Sequence, residues 1–419
     1  MKYRLKELFT DKLSGEWGDE GSSQAGVKVI RTTNFTNSGK LKLENLAYRQ
    51  IDNRKVITKR LKHGDIIIEK SGGSPSQPVG RVVFFDIDTD ETFLCNNFTA
   101  ILRPDRAKVF PMYLFYRLFD NHKTGKTLRY QNKTTGIINL KLDHYLNSKI
   151  EIPERVEDQI RIATILSKAE SLIAQRKESL RLLDELLKST FLEMFGDPVR
   201  NQKGWEKSRL ELIANQITDG EHKTPVRQEN GIKLLSARNI KNGFLDFNAE
   251  LDFISEAEYK RISKRCNPEK GDILMSCSGT VGRVAVVRVT EPLSLVRSVA
   301  LIKVKKEIIN PTYLEFLMQT KFFQSQVRKN ANTSSQSNIF TGQVKKLPIF
   351  IPTYHLQTQF AQIVDKVEAL KAHYQTSLKE LENLYGSLSQ RAFKGELDLS
   401  KMDVQRPKEK SKEKVVSLR

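Results

Sequence analysis

The chain is poor in cysteine and histidine, and it has no long apolar run. Cys95, Cys266 and Cys277 are the only cysteines among 419 residues, and there are six histidines. An odd number of cysteines without a C-x-x-C pair argues against a disulfide scaffold and a structural zinc site. No stretch approaches the roughly 18 apolar residues of a membrane span, and segment 1–9 is too charged for a signal peptide. These absences predict a cytoplasmic protein without a membrane partner.

The chain carries a large excess of basic residues. Lysine and arginine number 70 against 50 aspartates and glutamates, which gives a formal net charge of +20. An excess of this size favours a polyanion as partner, with nucleic acid ahead of an anionic membrane, although it can also serve solubility alone. The length is sufficient for two or three domains with their own cores.

An apolar residue recurs at every seventh position between Pro153 and Pro198. This spacing is typical of one helix of a coiled coil. It predicts a helix of roughly 55 Å that starts after the first proline and ends at the Phe195-Gly196 pair. The predicted seam residues are Leu166, Ile173, Leu180, Leu187 and Met194.

The same pattern returns between Pro352 and Leu397. Because neither helix can bury its apolar stripe alone, we expect the two helices to pack on each other. The second seam consists of Phe360, Val367, Tyr374, Leu381 and Leu388.

The two segments that precede these helices resemble each other. Each is predicted to contain many short strands and one helix that begins at a proline, Pro111 or Pro311. The whole chain therefore has the pattern of one module of about 200 residues repeated twice. The matching blocks are Gly64-Asp65-Ile66 with Gly271-Asp272-Ile273, Gly80-Arg81-Val82 with Gly282-Arg283-Val284, and Asn139 to Pro153 with Asn338 to Pro352.

Both repeats carry polar and basic segments at matching places. We read 122–135 and 328–336 as basic loops, and 71–80 and 278–282 as Ser-Gly loops. Arginine and lysine can bind phosphates or guanine edges, and asparagine and glutamine can read adenine, although any one such loop can be ordinary solvated surface. The residues that we predict to contact DNA are Arg31, Thr33, Lys70, Ser71, Ser74, Gln77, Arg81, Lys126, Arg129, Tyr130, Asn132, Lys133, Lys223, Arg238, Asn239, Ser278, Thr280, Arg283, Arg328, Lys329 and Asn332.

Sequence motifs for catalysis are weak. Asn310-Pro311-Thr312-Tyr313 is similar to the Asn-Pro-Pro-Tyr motif of adenine methyltransferases, but the second proline is missing and no glycine-rich cofactor loop precedes it. The Ser-Gly loops lack the G-x-x-x-x-G-K-[ST] pattern of a phosphate-binding loop. Segment 86–91 starts like a calcium loop without its glycine or distal glutamate. We therefore predict a non-catalytic chain with no catalytic, cofactor-binding or metal-binding residues.

Taken together, these blocks resemble the specificity subunit of type I restriction-modification enzymes. The resemblance covers residues 1–400. Besides the blocks already given, it rests on Phe195-Gly196-Asp197 after the first helix and on Arg391 to Leu397 after the second. It implies an α+β fold, a tandem repeat of two mixed α/β target-recognition domains separated by two long helices that form an antiparallel coiled coil. Each domain would read one half of a bipartite, asymmetric DNA site, and the helices would space the two domains.

The resemblance also implies a set of partners. These are double-stranded DNA, two modification subunits that methylate adenine with S-adenosylmethionine, and two restriction subunits that use ATP and Mg²⁺. All of these cofactors would belong to the partner subunits, since none is expected in this chain.

The predicted domains follow from the repeat. They are a first recognition domain at 1–152, a spacer helix at 153–198, a second recognition domain at 199–351, a second spacer helix at 352–398, and a disordered basic tail at 399–419. Two other interpretations stay open at this point. One is a stand-alone DNA-binding regulatory protein of the same fold, and the other is an enzyme with a nuclease or methyltransferase site that no motif reveals.

Overall fold

The computed structural model describes residues 1–74, 77–134, 137–332 and 337–400, with the side chains of 133 and 134 left aside. Residues 401–419 of the predicted tail lie outside the described residues. The contacts divide the chain into two units. Unit 1 joins Met1–Gln175 to the segment from Leu378 onward, and unit 2 is Arg176–Ser377.

Unit 1 contains thirteen strands in its described part and three short or medium helices. The helices are α1 (Asn53–Lys59), α2 (Pro111–Lys123) and α3 (Leu142–Leu146). The strands are β1 (Lys2–Arg4), β2 (Phe9–Ser14), β3 (Asp19–Glu20), β4 (Val27–Ile30), β5 (Ala47–Gln50), β6 (Ile66–Glu69), β7 (Ser71–Gly73), β8 (Val82–Phe84), β9 (Phe93–Cys95), β10 (Thr99–Pro104), β11 (Gln131–Thr134), β12 (Ile137–Leu140) and β13 (Lys149–Glu151).

The central sheet of unit 1 is antiparallel, in the order β2-β10-β6-β8, and it is covered on both faces. Ile66 and Ile68 face a core that includes residues of α2, whereas Ile67 between them faces a core shared with the sheet β3-β5-β4-β9. Successive side chains of a strand point to opposite faces, so a strand buried on both faces has a continuous apolar run. This explains why Ile66-Ile67-Ile68 shows no alternation.

Unit 2 repeats this plan in its described part. Its shorter helices are α5 (Glu256–Ser263), α6 (Pro311–Gln319), α7 (Lys321–Asn330) and α8 (Thr341–Lys345). The strands are β14 (Glu206–Arg209), β15 (Ala214–Asp219), β16 (Arg227–Gln228), β17 (Ile232–Leu235), β18 (Ile240–Lys241), β19 (Phe244–Leu245), β20 (Asp252–Ile254), β21 (Ile273–Ser276), β22 (Val284–Val286), β23 (Leu293–Leu295), β24 (Val299–Val304) and β25 (Pro348–Ile351).

The two four-stranded sheets of unit 2 have the same strand pattern as the two four-stranded sheets of unit 1. The antiparallel sheet β15-β24-β21-β22 corresponds to β2-β10-β6-β8. The sheet β16-β20-β17-β23 contains one parallel pair, β17 with β23, as β3-β5-β4-β9 does in β4 with β9. The internal repeat inferred from the sequence is therefore a repeat of topology.

Two long helices contribute residues to both units: α4 (Val156–Phe195) and α9 (Tyr354–Lys394). Each ends at a glycine with left-handed backbone, Gly196 with φ +77° and Gly395 with φ +75°. Glycine adopts this conformation without the steric cost of a Cβ, so it ends a helix cleanly. The predicted helix ends are thus close to those observed.

The two long helices pack together, and in unit 2 they run antiparallel. The guanidinium carbon of Arg176 lies 4.1 Å from the ring centroid of Tyr374, and Asp184 forms an ion pair with Lys371 at 2.8 Å. Further along α4, Phe191 meets Phe360 with ring centroids 5.5 Å apart. The residue numbers rise on α4 while they fall on α9, as in an antiparallel pair.

In unit 1 a half-buried carboxylate joins the helices. Glu170 of α4 accepts hydrogen bonds from the hydroxyls of Tyr116 at 3.0 Å and Tyr385 of α9 at 3.2 Å. Burial raises the pKa of Glu170, and the nearby Lys40 ammonium acts against this rise. The heptad pattern does not identify this polar contact, because a carboxylate at such a position usually faces water.

The predicted seam residues differ in burial. Leu166, Leu187, Phe360 and Val367 are buried. The remaining six are half-buried: Ile173, Leu180, Met194, Tyr374, Leu381 and Leu388.

Truncation of a buried ring of α9 should destabilise unit 2, whereas truncation of an exposed side chain on the same helix should not. Phe360 is fully buried against Phe191, Phe195 and Phe316. We expect Phe360→Ala to lower the free energy of unfolding of this unit by about 3–5 kcal/mol, because it leaves a cavity. Leu370→Ala, on the exposed side of the same helix, is the matched control, with a change within about 0.5 kcal/mol. Thermal and denaturant unfolding of both variants measures the difference, and equal losses would contradict the assigned packing.

Candidate nucleic-acid interface

In unit 1 the Ser-Gly loop and the basic segment that follows α2 form one sheet. Strand β7 pairs with β12, which pairs with β11, so that Ser71 lies opposite Asn139. The Gln131 side chain also donates to the carbonyl of Val79 at 3.1 Å. Two segments about 60 residues apart in sequence are therefore held side by side by backbone pairing.

Unit 2 joins the equivalent segments. Ser278 and Asn332 both form backbone bridges to Asn338, and the Ile339 amide donates to the carbonyl of Cys277 at 3.0 Å. Residues that the sequence assigned to separate loops thus lie next to each other in both units.

Each Ser-Gly loop has a glycine with open space beside it. Gly72 has φ +100° and Gly279 has φ +72°, and a Cβ added at either position would meet no atom of the described residues within 4 Å. A left-handed glycine with empty space beside it lets another backbone approach closely. The two glycines therefore leave room beside the backbone of each loop.

Two segments predicted as loops are partly helix or strand, with residues 135 and 333–336 outside the described part. Residues 122–134 begin with the last turn of α2 and continue through a short turn into β11, and Arg328 and Lys329 form the last turn of α7. Pairing of β11 with β12, which in turn pairs with the distant β7, fixes the strand of the first segment. The hydroxyl of Thr320 caps α7 by accepting from the Phe323 amide, which favours helix for the second.

The predicted DNA-contacting residues fall into groups by exposure. Asn239 is buried, and the side chain of Lys133 lies outside the described residues. Half-buried are Arg31, Lys70, Ser71, Ser74, Arg81, Tyr130, Ser278 and Arg283. Exposed are Thr33, Gln77, Lys126, Arg129, Asn132, Lys223, Arg238, Thr280, Arg328, Lys329 and Asn332.

Asn239 has a structural position in the turn 237–239. Its Oδ1 accepts from the Ser236 amide at 3.0 Å, and its Nδ2 donates to the carbonyls of Asp246 and Glu250, both at 3.3 Å. All of its amide hydrogen bonds are thus made inside the protein. Asn34 has the same role in unit 1, where it caps the turn 32–34.

Several of the predicted cations have partners inside the protein. Lys70 donates to Ser14 Oγ at 2.7 Å, and burial lowers the pKa of its ammonium. Arg238 pairs with Glu250 and with Asp252, the latter at 3.0 Å. Lys126 lies 3.4 Å from Asp120. A DNA phosphate would have to compete with these carboxylates for Arg238 and Lys126.

Arg81 makes the most extensive of these internal contacts, with three hydrogen bonds from its guanidinium. Its guanidinium donates to both carboxylate oxygens of Glu69, at 2.9 and 2.8 Å, and to the carbonyl of Thr32 at 3.2 Å. Only 2% of the Glu69 side chain is exposed, against 13% for Arg81. Glu69 is not recognisable from sequence as the partner of Arg81, because the pair forms only when β6 and β8 align.

His122 lies near Arg81 at the end of α2. Its Nδ1 is buried and has no hydrogen-bond partner in the described part of the chain. Burial, together with the positive charges of Lys123 and Arg81, lowers the pKa of His122 to about 4. His122 is therefore neutral at neutral pH and adds no charge to this surface.

The described residues hold no cluster of three or more histidine, cysteine, aspartate or glutamate side chains able to bind a metal ion. The three cysteines are unpaired and buried. None of the helices in the ranges that the structure describes has a stretch apolar enough to cross a membrane.

The family model of the type I restriction modification DNA specificity domain matches this chain twice, at residues 1–182 and 202–383. The chain belongs to this family. The two matches coincide with the two copies of the repeat, so each open Ser-Gly loop lies within one specificity domain.

Curated relatives are type I specificity subunits. The chain is 26% identical to the EcoKI specificity subunit of Escherichia coli K12, over 88% of this chain and 82% of the relative. It is 26% identical to the MjaVIII specificity subunit of Methanocaldococcus jannaschii over 65% of this chain. It is 28% identical to the EcoBI specificity subunit of Escherichia coli over 40% of this chain. The last two alignments span 66% and 36% of those relatives' own lengths.

Two solved structures share the fold. The S subunit of a type I restriction-modification system from M. genitalium aligns with a TM-score of 0.58 and 15% identity, over 94% of this chain and 96% of that one. A chain from a study of complex assembly and conformational transition in a type I system aligns with a TM-score of 0.56 and 17% identity, over 95% of this chain and 98% of that one. At these identities the likeness establishes the fold, with its tandem mixed domains and long helices.

The two equivalent arginines of the specificity domains should differ in their effect on stability. Arg81→Met leaves Glu69 buried without a partner, so we expect it to cost about 3–5 kcal/mol of unfolding free energy. Arg283→Met removes a side chain that has no ion pair among the described residues, and we expect a cost below about 1 kcal/mol. Chemical denaturation of the two variants measures this difference, and equal costs would argue against a structural role for the Arg81–Glu69 pair.

Acid should destabilise unit 1 partly through His122. Its pKa in the folded chain is about 4, below the ordinary value of 6.5, so only the unfolded chain takes up this proton between those values. The stability contribution of the neutral ring is complete above pH 6.5 and is lost as the pH falls toward 4. We expect His122→Asn to show a shallower loss of unfolding free energy in this window. A loss as steep as that of the unchanged chain would contradict the assigned burial.

Proposed function

We propose that this chain is the non-catalytic subunit that reads DNA in a type I restriction-modification complex. Each of its two specificity domains would recognise one half of a bipartite, asymmetric sequence. The observation that carries the proposal is the duplication itself, because both units present the same open Ser-Gly loop joined to a polar segment. The net charge of +20 supports a polyanionic partner.

The two domains differ in the side chains that they present, which supports an asymmetric site. At the position of Lys70 in unit 1, unit 2 has Cys277, and where unit 1 has Thr33, unit 2 has Arg238. Base readout depends on donors and acceptors at defined positions in the groove. Two surfaces with different side chains on one backbone plan would therefore read different half-sites.

The same proposal includes partner subunits. Two modification subunits would add methyl groups to adenine with S-adenosylmethionine, and two restriction subunits would cleave with ATP and Mg²⁺. The named relatives are specificity subunits of type I restriction enzymes, which supports an assembly of this kind. Since the complex would act on cellular DNA, we place the chain in the cytoplasm of a cell without a nucleus.

A domain exchange tests the hypothesis that each domain recognises one half of the site. We expect replacement of residues 1–152 by the equivalent segment of another specificity subunit to change one half of the recognised sequence and leave the other half intact. Mapping of methylated adenines in the DNA of a host that expresses the chain with its modification subunit measures both halves. The reciprocal exchange of residues 199–351 is the matched control and should change the other half. A change in both halves, or in neither, would contradict the proposal.

Co-purification tests the assembly. We expect the chain to purify with the modification subunit, and a chain that binds DNA but never retains that subunit would instead be a stand-alone DNA-binding protein.

A further inference from the structure

Arg81 and Arg283 occupy the same place in the two units. In unit 1 the Glu69 amide donates to the carbonyl of Arg81 at 2.9 Å, and the Gly80 amide donates to the carbonyl of Glu69. In unit 2 the Ser276 amide donates to the carbonyl of Arg283 at 2.9 Å, and the Gly282 amide donates to the carbonyl of Ser276. The strand registers agree as well, since Ile68 pairs with Val82 and Met275 with Val284. Ser276 is thus the equivalent of Glu69.

This exchange of glutamate for serine changes the state of the arginine. In unit 1 the buried Glu69 carboxylate neutralises the Arg81 guanidinium with two hydrogen bonds. In unit 2 the Ser276 hydroxyl donates to the carbonyl of Thr280 at 2.6 Å and accepts from the Arg283 amide at 2.9 Å. The serine is fully buried and makes these bonds within its own loop. It offers no negative charge to the guanidinium.

The Arg283 side chain has no hydrogen bond, ion pair or ring contact in the described part of the chain. It lies at the base of the open Ser278-Gly279 loop and is half-buried. The neighbouring turn 237–239 packs against β21, but its cation, Arg238, is already paired with Glu250 and Asp252. Arg283 is therefore a cation of this surface whose charge no group among the described residues balances.

We propose that Arg283 binds a DNA phosphate in unit 2, and that the residue at position 276 decides whether this arginine can do so. The inference rests on the proposed function, since it assigns one contact within the DNA-reading surface. In unit 1 the equivalent Arg81 would stabilise the fold instead, because its guanidinium is already paired with Glu69. The two domains would then differ in their phosphate contacts, although their folds are the same.

The test compares four variants of the full-length chain. Arg283→Gln removes the charge directly. Ser276→Glu places the carboxylate of unit 1 beside Arg283, and Ser276→Gln is its control of nearly equal size without the charge. Arg81→Gln is the matched change in unit 1. Thermal unfolding of each variant establishes which of them retain the fold.

Binding is measured on a random-sequence DNA duplex between about 50 and 200 mM salt, where each phosphate contact contributes a slope of roughly 0.9 in the logarithmic salt dependence. We expect Arg283→Gln and Ser276→Glu each to weaken DNA binding several-fold at the lowest salt concentration. Each should also reduce the slope of the salt dependence by about the amount of one phosphate contact. Ser276→Gln should bind like the unchanged chain, and Arg81→Gln should keep the slope even if it unfolds earlier.

The outcomes separate this inference from the proposed function. An unchanged chain that does not bind the duplex at low salt would overturn the proposed function itself. If that chain binds but Arg283→Gln keeps both affinity and slope, the phosphate contact is overturned and the DNA-reading role stands. Equal losses in Ser276→Glu and Ser276→Gln would show a steric effect and would overturn the control by position 276. Should both position-276 variants fail to fold, Arg283→Gln alone decides the phosphate contact.

Discussion

The structure depends on the mutual burial of two long amphipathic helices. Leu166 and Leu187 on α4, and Phe360 and Val367 on α9, are buried, and each of these residues also belongs to the core of a mixed domain. Each domain therefore completes its core with residues of the helices. In unit 2 the ring of Phe360 connects α9 to both Phe191 of α4 and Phe316 of α6, so helix pairing and domain folding share the same contacts.

The recognition surfaces rest on these cores through ordinary strand pairing. Because β6 is buried on both faces, the loop that follows it leaves the sheet at a fixed point, and β12 holds the loop from the side. A surface built this way can change its side chains without changing its backbone. The contrast between Glu69 and Ser276 is one such change, and it alters the electrostatics of a site while the backbone hydrogen bonds that join this position to the Gly-Arg strand are kept.

Local sequence signals predicted much of the fold. The heptads, the prolines before each long helix and the glycines after them placed α4 and α9, and Pro111 and Pro311 marked the starts of α2 and α6. The candidate site was less predictable. Strand β11 reads as a loop, since its partner β12 belongs to a sheet completed by β7 more than 60 residues away, and the Arg81–Glu69 pair depends on the register of β6 with β8. The buried position of Asn239 follows from bonds to carbonyls 7 and 11 residues further along, which no local pattern contains.

The two units differ in how their segments are arranged along the chain, and this affects the order in which they can fold during synthesis. Unit 2 is one continuous segment, Arg176–Ser377, so all of its contacts can form once the ribosome has made that stretch. Unit 1 combines the beginning of the chain with the segment from Leu378 onward, and Ala392 lies in the same core as Leu166. Its core stays incomplete until α9 emerges, although most of its residues precede those of unit 2 in the chain. The N-terminal domain is thus the last to close, which reverses the usual order in which domains fold as they leave the ribosome.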